Sequence, residues 1–98
     1  MKLLETKFIK IREVDYPIKK SVRAYLKFEE LAGHPIEEYK NSTKEGIIFF
    51  YSCIWGGGSR ISYDEFLDLI DDVDIQELII TFIKLMSDTI TEKKPKAR

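Results

Sequence analysis

Ser42-Thr-Lys-Glu-Gly-Ile-Ile-Phe-Phe-Tyr-Ser-Cys-Ile-Trp-Gly-Gly-Gly58 is the stretch on which the architecture turns. From Ile47 to Trp55 it is apolar on nearly every side, a pattern that fits a buried strand as well as a central buried helix. The residues ahead of it decide between the two. Ser42-Thr43-Lys44-Glu45 has the spacing of a capping box, in which the serine oxygen accepts from a free amide of the first turn while the glutamate reaches back to the serine amide. A helix is expected to start there. Gly56-Gly57-Gly58 is expected to end it, since three glycines carry a large backbone-entropy penalty in a helix and readily adopt left-handed cap geometry.

Downstream, Ser62-Tyr63-Asp64-Glu65 repeats the box and opens a short helix. Its Phe66, Leu67 and Ile70 are expected to face inward, with Asp64, Glu65, Asp68, Asp71 and Asp72 in water. Asp74-Ile75-Gln76-Glu77 resembles a third start, with acids at the positive end of the helix dipole. The last helix then runs to about Thr91. Ile75, Leu78, Ile79, Phe82, Ile83, Leu85, Met86 and Ile90 share an arc of roughly 160°, wider than a minimal core stripe, and Ile80 lies outside it.

Upstream, Val22, Tyr25, Leu26, Phe28 and Leu31 recur at helical spacing from Ser21, and Gly33-His34-Pro35 supplies a stop. Ile36 to Tyr39 fits either a loop or one short turn. Thr6 to Arg12 mixes Phe8, Ile9 and Ile11 with Lys7, Lys10 and Arg12, which fits a half-buried edge strand. Tyr16-Pro17-Ile18-Lys19 returns beside it through Glu13-Val14-Asp15, with Pro17 tolerable only where no ladder bond needs its missing donor. The expected fold is mainly α: about four helices with a short N-terminal β-hairpin, one domain over 1–91. The segment 92–98 lacks apolar anchors and is expected to be a disordered basic tail.

Composition narrows the function classes. The 98 residues suffice for one domain that buries a core without disulfides or structural metal. Sixteen basic against seventeen acidic residues leave a net charge of -1, so no bulk field draws nucleic acid or an anionic membrane. A single cysteine excludes an internal disulfide and a cysteine-based zinc cluster and suits a reducing cytoplasm. No window reaches the 18 or so apolar residues of a membrane span, and no signal-peptide stretch follows Met1.

The chemistry-bearing residues read as structural. Cys53 falls in the apolar helix, where a thiol stays protonated and inert, and His34 reads as a helix-end residue touching free carbonyls. Glu29 and Glu30 point about 100° apart and cannot converge as a catalytic pair. The acids from Asp64 to Asp74 do not fit a calcium loop. Trp55-Gly-Gly-Gly-Ser-Arg60 lacks the Gly-Lys-Ser/Thr ending of a phosphate loop and reads as a flexible connection. Lys93, Lys94, Lys96 and Arg98 have no interleaved aromatics and read as a solubilising tail. No catalytic residue, cofactor or metal is therefore assigned. What the sequence offers a partner is apolar surface: Ile80 on the last helix, with Trp55, Arg60 and Tyr63 near the glycines. A second copy docking on the last helix is one way to cover it.

Tyr16-Pro17-Ile18-Lys19 followed by Val22-Arg-Ala-Tyr-Leu-Lys-Phe-Glu-Glu-Leu-Ala-Gly33 resembles the start of small tail assembly chaperones of long-tailed bacteriophages and prophages. The apolar Ile47 to Trp55 run, the glycines and Ser62-Tyr-Asp-Glu-Phe-Leu-Asp-Leu-Ile-Asp71 resemble the family's second half, so the likeness extends from about Tyr16 to Asp74. It implies a non-enzymatic protein of the bacterial host cytoplasm, absent from the mature virion, that binds the tape-measure and tail tube proteins, keeping the tape-measure protein soluble while tube subunits assemble around it. In many such systems a ribosomal frameshift near the end yields a longer form, and Lys93-Lys94 is compatible with an A-rich slippery codon pair. The competing expectation is a small adaptor or regulatory protein-binding domain of a bacterial or prophage system.

Overall fold

The structure, a computed structural model, describes residues 3–91, with side chains described as far as Ser87. Two strands, β1 (Lys7–Ile11) and β2 (Val14–Ile18), precede α1 (Val22–Ala32), a 3-10 turn at Ile36–Glu38, α2 (Thr43–Gly57), α3 (Tyr63–Ile70) and α4 (Ile75–Thr91). The expected hairpin and four helices are all present. The segment 92–98, expected as a disordered basic tail, and the side chain of Ile90 lie outside the described residues.

The hairpin closes more tightly than expected. Arg12 and Glu13 have φ of 51° and 72°, so they form a two-residue mirror-image turn whose twist matches that of the strands. Val14 and Asp15, expected in the connection, instead pair with Ile11 and Lys10. Antiparallel pairs alternate between hydrogen-bonded and open; counting from the closing Ile11–Val14 pair, Phe8–Pro17 is open, so the absent Pro17 donor leaves no ladder bond unmade. Ile9, Ile11 and Ile18 form the buried face.

Helix α2 runs through the middle of the molecule, with Phe50, Cys53 and Ile54 fully enclosed. Its N-cap is half of the expected box: Ser42 Oγ accepts from the Glu45 amide at 3.2 Å, but the Glu45 carboxylate turns elsewhere. Its C-terminus departs further from expectation, since Gly56 and Gly57 are helical and only Gly58, at φ 119°, is the left-handed cap. The glycines are there for contact. A Cβ on Gly56 would stand 2.7 Å from Ala24 Cβ and from Lys19 O, and one on Gly57 2.8 Å from Pro17. Their absence lets β2 and the start of α1 lie directly on α2, where Lys19 N–H donates to Cys53 O at 3.0 Å and Ser21 Oγ donates to Gly56 O at 3.2 Å.

Helix α1 is bounded as expected, by Ser21 accepting from Ala24 N and by Gly33 at φ 85°. Its inward face is rotated from the expected one. Ala24 and Phe28 are buried with Leu31 partly so, whereas Val22 and Leu26 are 72% and 61% exposed and Tyr25 is only partly covered. Both stripes have i, i+4 spacing, and the small Ala24 wins because only it fits against Gly56. Helix α3 carries a complete capping box between Ser62 and Glu65 and buries Phe66 and Ile70, but Leu67 is exposed, because an eight-residue helix turns only a narrow face to its neighbours. Helix α4 starts at Asp74, whose Oδ1 accepts from Glu77 N at 3.3 Å. It lies on α2 through Leu78, Phe82 and Met86, with the Phe82 ring stacked on Phe50 at 4.6 Å between centroids. Ile83, expected in the buried arc, is 53% exposed, for no element among the described residues covers that flank of α4.

Candidate protein-docking groove

Beside α4 the helices part. Gly46 and Phe49 of α2 and Phe82 of α4 form the floor of a hollow of about 500 Å³, walled by Tyr25 and Tyr39 on one side and by Ile83 on the other. It continues over Tyr39, Gly46 and Ile79 into a second hollow of about 300 Å³ that reaches Ile75 and Ile80. The lining is mainly apolar and aromatic, with Lys20 the charged side chain of the larger hollow among the described residues. Partial burial pushes the Tyr25 and Tyr39 phenols up from their ordinary value, so both stay neutral at physiological pH. Ile80 and Ile83 rise at the rim, 55% and 53% exposed.

One carboxylate holds the wall that carries Ile36 and Tyr39. Glu45 Oε1 accepts from the Lys40 amide at 2.7 Å, and Oε2 meets His34 Nε2 at 2.5 Å. The segment between His34 and Lys40 is thereby pinned at both ends. His34 Nδ1 faces Pro35 O at 3.0 Å, so both ring nitrogens point at oxygens and the imidazolium satisfies both. The Glu45 hydrogen bond, aided by Pro35 O, raises the His34 pKa; the Lys40 amide, then His34, lowers that of Glu45. The side chains are only 16% and 10% exposed. The carbonyl His34 faces is not a free one at the end of α1, as its position suggested, but Pro35 O, which also accepts from the Glu38 amide; its main partner is a carboxylate eleven residues away that the sequence places in a capping box.

The four expected contact residues do not form one patch. Trp55 is held between Lys27 Nζ and Arg60, 3.9 and 4.2 Å from its ring, and Arg60 also donates to Trp55 O at 2.8 Å and to Ser59 O at 3.1 Å. Tyr63 packs edge-on against Tyr51 at 5.2 Å. These three side chains close the C-terminal end of α2. Ile80 stands by the other end, near Thr43, about 18 Å away at 1.5 Å per helical residue. Tyr25, Tyr39 and Ile83 are groove residues that the sequence does not announce; aromatic and aliphatic residues at helical spacing read first as core.

The remaining candidates do not converge. Cys53 is fully buried, with its thiol pushed up to about 12 by burial. It lies eight residues along α2 from Glu45, and so about 12 Å from the carboxylate that holds His34. Among the described residues no group of three His, Cys, Asp or Glu side chains could hold a metal ion, and no helix is long and apolar enough to cross a membrane. Comparison with known proteins adds no relative: no family model, curated protein or solved structure matches the chain.

Proposed function

We propose that this chain is a non-enzymatic tail assembly chaperone of a phage or prophage, which takes an apolar helical segment of the tape-measure protein into the groove beside α4. The observation that carries the reading is the groove itself. Its aromatic floor and the isoleucines at its rim offer what a helix-in-groove interaction uses, namely apolar anchors received at i, i+3, i+4 spacing. Exposed Ile80 and Ile83 give the rim an apolar edge beside that floor for a partner to cover. The likeness of the Tyr16 to Asp74 region to tail assembly chaperones supplies the identity of that partner. A small adaptor would use the same groove on another protein.

The test is to recover the tagged chain from its native host after prophage induction and to identify what co-elutes at moderate salt. A very long, tail-length-determining protein is expected. Reproducible recovery of unrelated cellular proteins alone would overturn the phage assignment and leave the adaptor reading.

A further inference from the structure

A second surface lies on the opposite flank of α4, and it differs in kind from the groove. In the β1–β2 register the pairs Ile9–Tyr16 and Ile11–Val14 exchange the ladder bonds, which turns the N–H and C=O of Phe8 and Lys10 away from β2. Among the described residues none of these four groups has a partner. They face a hollow of about 420 Å³ between β1 and α4 whose floor is Val73, Leu78, Thr81 and Leu85. An unpaired edge of this sort is a template for one more strand.

We infer that β1 accepts an extended segment of a partner protein as a third strand, with its alternate side chains apolar and a lysine or arginine at one end. The spacing follows from the strand repeat, which sends every second side chain down onto Leu78 and Leu85. The basic residue follows from charge: Asp74 and Glu77 line the hollow, and the ammonium of Lys10 is already 3.3 Å from Asp15. A second copy of this chain fits less well. Helix α4 flanks β1 in every copy, so a partner pairing through its own β1 would bring its own α4 into the same space.

The hairpin supplies its own test. Pro17 already occupies an open pair without loss of the ladder, and Lys10 sits at another, so Lys10→Pro removes an outward donor while sparing the β1–β2 bonds. The probes are two capped peptides, Lys-Val-Thr-Val-Thr-Val and Glu-Val-Thr-Val-Thr-Val, titrated into the isotope-labelled full chain. The lysine peptide is expected to slow hydrogen exchange at the Phe8 and Lys10 amides and to bind more tightly than the glutamate peptide. In Lys10→Pro its affinity should fall about tenfold while the Ile9 and Ile11 amides stay protected. Equal binding to both proteins, or no protection at Phe8 and Lys10, overturns the inference. Protection of those two amides before any peptide is added, rising with protein concentration, overturns it in favour of a second copy.

Discussion

Gly56 and Gly57 are the residues at which the hairpin, α1 and α2 meet, and the space for side chains there is already taken. A Gly56→Ala methyl would stand 2.7 Å from the backbone oxygen of Lys19 and from the Ala24 methyl. The expected cost is about 1–3 kcal/mol, the usual range for overpacking. Gly46 supplies the control, being helical with its nearest neighbour, the Tyr39 hydroxyl, at an ordinary 3.6 Å. Gly46→Ala should therefore stabilise by about 0.5–1 kcal/mol through backbone entropy. Urea midpoints of the two variants should move in opposite directions, and a Gly56→Ala protein as stable as the parent would refute the contact. His34 makes a pH-dependent contribution with a definite sign. Its pKa is raised from 6.5 in the folded chain, so its stabilisation is complete below 6.5 and is lost as pH rises through the folded-state value. Glu45 is lowered from 4.5, so its share is present above 4.5 and is lost as pH falls through its own folded-state value. Urea midpoints measured across pH should decline on the alkaline side above 6.5, and His34→Gln should flatten that decline. Parallel curves for the two proteins would mean that the His34–Glu45 bond does not hold the wall.

At the scale of elements, α4 is attached differently from the rest. The hairpin and α1 are tied to α2 by the contacts at Gly56 and Gly57, and α3 by Phe66 against Phe50 and Tyr51, whereas α4 rests on α2 through Phe82, Leu78 and Met86 with open hollows on both flanks. Phe82→Ala should cost about 3–5 kcal/mol, the range for a buried aromatic. It should also free α4 before the remainder opens, seen as early loss of hydrogen-exchange protection in α4 with α1 and α2 still protected. Loss of protection in all helices at once would contradict this hierarchy. The elements themselves were legible, because serine caps, glycine stops and apolar periodicity are local signals. Their faces were less so. Val22 and Leu26 have the same spacing as Ala24 and Phe28, and which pair turns inward depends on Gly56, a neighbour distant in sequence from Ala24. The two-residue turn was hidden because its positive-φ positions hold Arg12 and Glu13 instead of the usual glycine or asparagine.

For the whole molecule, the arrangement is a single apolar helix, α2, covered by the hairpin and α1, by α3 through Phe66, and incompletely by α4. The groove beside α4 was only partly legible. Ile80 could be read as surplus, being outside the apolar arc, but a groove is a gap between elements, and local sequence does not encode how far two helices stand apart. For the same reason the sequence does not say how far Trp55, Arg60 and Tyr63 lie from Ile80, which the fold sets at the opposite end of α2. That the groove beside α4 receives the tail-length-determining protein is the central claim, and a photo-crosslinking residue placed at Ile83 tests it most directly, with one at exposed Asp68 on α3 as the control. In the native host after prophage induction, the account predicts cross-links from position 83 to an apolar helical segment of a very long tail protein and few from position 68. Equal capture at both positions, or capture at 83 of cellular proteins alone, would contradict it.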